Sequence, residues 1–224
     1  MDRRQFLLNC FKIGGFAALM QLGIPYEEVK ALVTGYSGPP VDGGTCSYTL
    51  KDNFADTQTN VVATFGDGTN IAAANVINNQ TGGTYTAGRI VISLSKIGTP
   101  TGTLYCYIYT ADTGGTKGPP DDRLATSETT IDLSTLASAT QDLTFDFSTP
   151  ATISNDNEKL VVIYVSGNTG DPTSNYLVFR GDGFISSSYG TYISATAPGE
   201  TNDAANWTVD DNNGGADIAT YQCD

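Results

Sequence analysis

The sequence predicts an all-β antiparallel sandwich behind an N-terminal helical arm, and three observations carry that prediction. From Cys46 onward, short apolar runs of strand length recur between clusters of Gly, Pro, Asn and Asp. Several of these runs alternate apolar and polar residues with a period of two, the pattern of a strand with one face on a core. Helical periodicity is confined to the first thirty-odd residues, ahead of a Gly/Pro-rich stretch. The resulting division is an arm over 1–34, a linker over 35–44 and a sandwich over 45–224. A chain of 224 residues fits one β-sandwich of ordinary size.

The arm begins with MDRRQFLLNCFKIGGFAALMQLGIP. Its Arg3 and Arg4 precede Phe6 and Leu7, and a moderately apolar stretch follows to Ile24, interrupted by Asn9, Lys12, Gly14, Gly15 and Gln21. That arrangement resembles a twin-arginine export segment, which implies passage out of the cytoplasm. No A-x-A site stands between Ala17 and Pro40. If retained, 6–24 is about nineteen residues at roughly 1.5 Å each, near the length of a membrane span but too broken by polar residues to be a strong anchor. Membrane contact is therefore expected only through this segment. Tyr26, Val29 and Val33 then share a helical face, with Glu27 and Glu28 in the first turn. GYSGPPVDGG, 35–44, has the composition of a linker. A spent export signal and an assembly helix are the two readings of the arm.

In the body, RIVISL (89–94) and LYCYIY (104–109) flank the turn GTPTG, and the pair reads as a hairpin. The second run sets Tyr105, Tyr107 and Tyr109 on one face and Leu104, Cys106 and Ile108 on the other. Leu143, Phe145 and Phe147 alternate with Thr144 and Asp146, a half-buried strand. LVVIYV (160–165) is continuously apolar and suits the middle of a sheet. YLVF (176–179) and Tyr189 to Ile193 supply later strands, and Asp217 to Tyr221 a closing one. The order of these runs resembles a jelly-roll sandwich: Lys96 to Gly102, Leu104 to Tyr109, the loop Gly118 to Pro120 leading to Leu124 to Ser127, then Phe145 to Phe147 and Leu160 to Tyr164. Such domains occur in secreted bacterial surface proteins and phage virion proteins, and are similar in layout to carbohydrate-binding modules. The resemblance implies the fold over about residues 60–221 and leaves function open.

Charge and cysteine narrow the partners. The chain carries 24 acidic against 11 basic residues, a net −13, with four of the basic residues in the first 35. An acidic body is repelled by nucleic acid, so none is expected as partner. Cys46 opens the body and Cys223 is penultimate, so a disulfide between them would staple both ends in an oxidising compartment. Cys106 lies in a strand-like run and reads as a small buried hydrophobe, and Cys10 as unmodified.

The chain has no histidine, which removes the Ser-His-Asp and Cys-His arrangements and the usual proton shuttle at neutral pH. No phosphate-binding glycine motif is present, and the expectation is a non-enzyme. Asp, Asn and Gly cluster in several loops, among them 52–56, 67–70, 121–122 and 155–158, where hard oxygen donors could hold calcium or simply form turns. The candidate site is Asp210, Asp211, Asn213 and Asp217. A sugar-binding face would draw on Tyr105, Tyr107, Tyr109 and the single tryptophan, Trp207, for which core packing near the last strand is the first reading. Asn79 and Asn206 head N-x-T sequons. Together these features favour a structural subunit of an extracellular or surface assembly, a filament or surface layer, with itself as partner. The alternatives are a carbohydrate-binding or adhesive module and a phage decoration or fibre protein.

Overall fold

A computed structural model describes residues 46–54, 60–77, 82–112, 118–154, 159–167, 170–182, 191–201, 203–210 and 215–224. The arm, the linker and the export motif at Arg3, Arg4, Phe6 and Leu7 lie outside the described residues. Within them the strands are β1 (Tyr48–Phe54), β2 (Asn60–Phe65), β3 (Ala72–Val76), β4 (Tyr85–Ile97), β5 (Thr103–Ala111), β6 (Pro120–Thr126), β7 (Ile131–Asp132), β8 (Gln141–Ile153), β9 (Lys159–Ser166), β10 (Tyr176–Asp182), β11 (Thr191–Ser194), β12 (Thr208–Val209), β13 (Gly215–Ala216) and β14 (Ile218–Cys223). Every pairing between them is antiparallel.

Two sheets result. In the first, long β4 pairs along one edge with β8 and along the other with β14 (Ala87 to Ile92) and then β10 (Leu94 to Ile97). Outside these lie β1, on β14, and β2, on β10. In the second sheet the order is β12-β11-β3-β9-β5-β6, with β7 also on β5. The chain passes from β2 in the first sheet to β3 in the second, back to β4, across to β5 and β6, back to β8, across to β9 and back to β10. The orders β2-β10-β4-β8 and β3-β9-β5-β6 are compatible with a jelly-roll-like sandwich.

The core lies between the sheets and follows the period-two pattern. Ile90, Ile92 and Leu94 of β4, Leu143, Phe145 and Phe147 of β8, and Leu177 and Phe179 of β10 meet Leu104, Cys106 and Ile108 of β5 and Val161, Ile163 and Val165 of β9. Cys106 is a free, buried thiol whose pKa burial pushes well up.

One expectation is overturned. Residues 89–94 and 104–109 do not form a hairpin: β4 and β5 belong to opposite sheets, and the GTPTG segment arches between them. Both edges of β4 are filled by β8, β10 and β14, and β5 pairs with β9 on one side and β6 and β7 on the other. Turn residues permit either outcome; distant pairing partners decide. Gly98, at φ 67°, opens the arch where an added Cβ would sit 2.0 Å from the Ser174 carbonyl oxygen, so only glycine fits.

Candidate functional site

The alternation that points Leu104, Cys106 and Ile108 inward turns Tyr105, Tyr107 and Tyr109 onto the outer face of the second sheet. Leu160, Val162 and Tyr164 of β9, Ala72, Ala74 and Val76 of β3, and Tyr192 of β11 join them there. This explains the unbroken apolar run of β9: one set of its side chains faces the core and the other faces this second apolar cluster.

Residues 195–201 and 203–207, between β11 and β12, strap part of that face. The Tyr109 hydroxyl donates to the Gly199 carbonyl. Arg123 N–H donates to the Glu200 carbonyl at 2.9 Å, and its guanidinium pairs with the Glu200 carboxylate at 2.7 Å. Asp203 N–H reaches the Asp121 carbonyl at 3.1 Å. The buried Asp203 carboxylate in turn accepts from Asn206 Nδ2 at 2.7 Å and Trp207 Nε1 at 2.8 Å. Trp207 is thus packed into the cluster with its only donor satisfied, and it does not offer a face to a ligand.

The remaining end of the face is a tyrosine shelf. Tyr105 and Tyr164 are half-buried, with ring centroids 5.9 Å apart. Tyr105 and Tyr107 stack at 6.4 Å with planes 9° apart, and Tyr107 meets Tyr109 edge-on at 6.3 Å. The Arg123 guanidinium lies 4.9 Å from the Tyr107 ring centroid. Burial raises the phenol pKa of both Tyr107 and Tyr109, with Arg123 opposing the rise, so these two rings are neutral phenols at physiological pH. Of the three tyrosines expected to carry a ligand, Tyr105 alone presents appreciable ring surface; Tyr164, its cross-strand partner, was not anticipated. Its position opposite Tyr105 depends on the β5–β9 register, which no local pattern encodes.

The calcium candidates are only partly brought into view. Asp211 and Asn213 lie outside the described residues. Asp210 N–H donates to the Thr191 carbonyl. Asp217 is buried, and its carboxylate stands 3.0 Å from Ser93 Oγ, which also lies 2.6 Å from Asp142. Among the described residues no group of three or more His, Cys, Asp or Glu side chains could hold a metal ion. At 67–70, Asp67 accepts from the backbone N–H groups of Thr69 and Asn70, a self-capped turn.

Cys46 and Cys223 are disulfide-bonded, with Cα atoms 5.5 Å apart. The bond closes β1 onto β14 where Tyr48 pairs with Cys223 and Asp224 N–H donates to the Ser47 carbonyl. Gly88 makes room: a Cβ there would lie 3.0 Å from that of Cys223. Beside it the Arg89 guanidinium sits 3.7 Å from the Tyr48 ring centroid and pairs with Asp146 at 2.6 Å. In comparison with known proteins, no family model, curated protein or solved structure matches this chain. None of the comparisons supports the resemblance to carbohydrate-binding modules or virion proteins.

Proposed function

We propose that this protein is a non-catalytic, exported structural subunit of an extracellular or surface assembly. The observation that carries the reading is the Cys46–Cys223 bond, which ties the first strand of the body to its last. Such a staple persists in an oxidising compartment, in keeping with the double arginine at Arg3 and Arg4. A decoration protein assembled in a reducing cytoplasm would hold the same residues as thiols. Light scattering on the purified full-length protein tests the reading. Species larger than the 23.5 kDa chain are expected on concentration, and a monomer at every concentration, with and without calcium, defeats it.

A second reading, a glycan-binding or adhesive module, is favoured by one observation, the partly exposed Tyr105 and Tyr164 rings, Tyr105 being stacked on the Tyr107 ring that Arg123 covers. Aromatic rings with nearby polar groups suit the apolar faces of sugar rings. A glycan array probed with the protein tests it; loss of binding on Tyr105→Ala with an unchanged melting midpoint is the expected result, and an array without binders removes the reading.

A further inference from the structure

The staple sits on an outer strand whose first four residues lie outside the core. Of the described β1 side chains, Tyr48 is half-buried against Arg89, Thr49 is exposed and bonded to Asp224, Leu50 is 49% exposed and Lys51 is half-buried. None of these four belongs to either apolar cluster. Over 48–51, β1 is held by the ladder to β14, these surface contacts and the disulfide. Each could be made equally well by the β1 of another copy.

The other outer strands are guarded against pairing with a second chain. β6 starts at Pro120, carries Asp121, Asp122 and Arg123, and has two register breaks against β5. β8 contains Pro150, and its Asp146 N–H and C=O are already engaged by Thr129 and Glu128. β12 has two residues, and the β2 ladder is bulged between Phe179 and Arg180. These are the devices by which sheets avoid edge-to-edge association. β14, IATYQC, has neither a charge nor a proline, and it is shielded by β1.

Building on the assembly reading, we propose that β1 is an exchangeable strand. The β1 of one copy completes the first sheet of the next by pairing with its β14, and the Cys46–Cys223 bond then forms between copies. Exchange of an identical element adds no new interface and extends head to tail when the donor and acceptor are different neighbours. The covalent step is thiol–disulfide exchange. A small thiolate attacks the exposed Cys223 sulfur, breaks its bond to Cys46 and forms a mixed disulfide, with Cys46 leaving as thiolate. The Cys46 thiolate on the departed β1 then attacks the mixed disulfide at Cys223 of the neighbour and returns the small thiolate. No net oxidation occurs, so the thiol acts as a catalyst.

The test mixes light and ¹⁵N-labelled full-length chains carrying Cys10→Ser, which removes the arm cysteine, and concentrates them with catalytic glutathione. Digestion without reduction followed by mass spectrometry reads which copies each Cys46–Cys223 bond joins. The expected result is light-to-heavy linked peptides approaching the statistical mixture, with a non-reducing ladder in multiples of 23.5 kDa that collapses on reduction. Assembled material whose bonds remain all light or all heavy overturns strand exchange and leaves the assembly reading standing. Absence of assembled material at any concentration overturns both.

Discussion

Asp203 shows how a single buried carboxylate organises the outer face of the second sheet. It is 2% exposed and accepts from both Asn206 and Trp207, so it fixes the indole that closes one end of the tyrosine cluster. Asp203→Ala leaves the Trp207 N–H without its acceptor in an apolar setting. A loss of about 2–3 kcal/mol is expected, read as a lower chemical-denaturation midpoint at unchanged slope. Two other aspartates make opposite predictions for pH. Hydrogen bonds from Thr173, Asn175 and Ser174 hold the Asp171 carboxyl well below the usual carboxylate range. A depressed folded pKa gives stability that is present above the unfolded value and lost as pH falls through the folded one. Asp171→Asn should therefore lower the melting midpoint at neutral pH, with the gap to wild type closing in strong acid. At Asp121, partial burial and then the charges of Asp122 and Asp112 raise the pKa, so its ionised form costs stability above that value. Asp121→Asn should raise the midpoint at neutral pH and lose its advantage below the carboxylate range; melting curves taken across pH for both variants check the two signs.

At the scale of elements, the staple and the strap do different work. The Cys46–Cys223 bond closes 177 residues of chain separation, and its removal by Cys46→Ser with Cys223→Ser is expected to cost on the order of 2–4 kcal/mol. Because β1 is an outer strand with Thr49 and Leu50 exposed, early proteolysis should appear within β1 while the remaining strands stay protected, which limited digestion followed by mass mapping would show. Cleavage spread evenly over the body would contradict that view of β1. The two strands most legible in the sequence were β8, whose Leu143, Phe145 and Phe147 alternate onto the core, and β9, whose continuous apolar run is buried on both faces. Side-chain period alone specifies such elements. The β4–β5 arch was not legible, because GTPTG suits a hairpin as well as a crossing and the choice rests on β8, β10 and β14 far along the chain. The strap was also hidden: ATAPGET and DAANW have no periodicity, and backbone hydrogen bonds to Asp121, Arg123 and Tyr109 hold them in place. For the same reason the sequence named the tyrosine row but missed Tyr164 beside it and Asp203 beneath Trp207.

For the whole molecule, the question is how a chain of net charge −13 meets copies of itself. Like-charged bodies repel over a distance set by salt, with a screening length of about 10 Å at 0.1 M and about 3 Å at 1 M. If association of this protein uses strand pairing and a disulfide, with no ion at the contact, the barrier is this general repulsion and any salt will lower it. Sodium chloride and calcium chloride at equal ionic strength should then promote assembly to a similar degree. Acidification toward the isoelectric point near 4.1 should do the same by protonating carboxylates. A dedicated calcium site involving Asp210 and Asp217 makes the contrary prediction, since micromolar to millimolar calcium would act at ionic strengths where sodium has no effect. Light scattering on the full-length protein, titrated with each salt at fixed pH and then with acid at fixed salt, separates the two. Equal response to both salts locates the control of assembly in overall charge; a response to calcium alone places it in a loop that binds the ion.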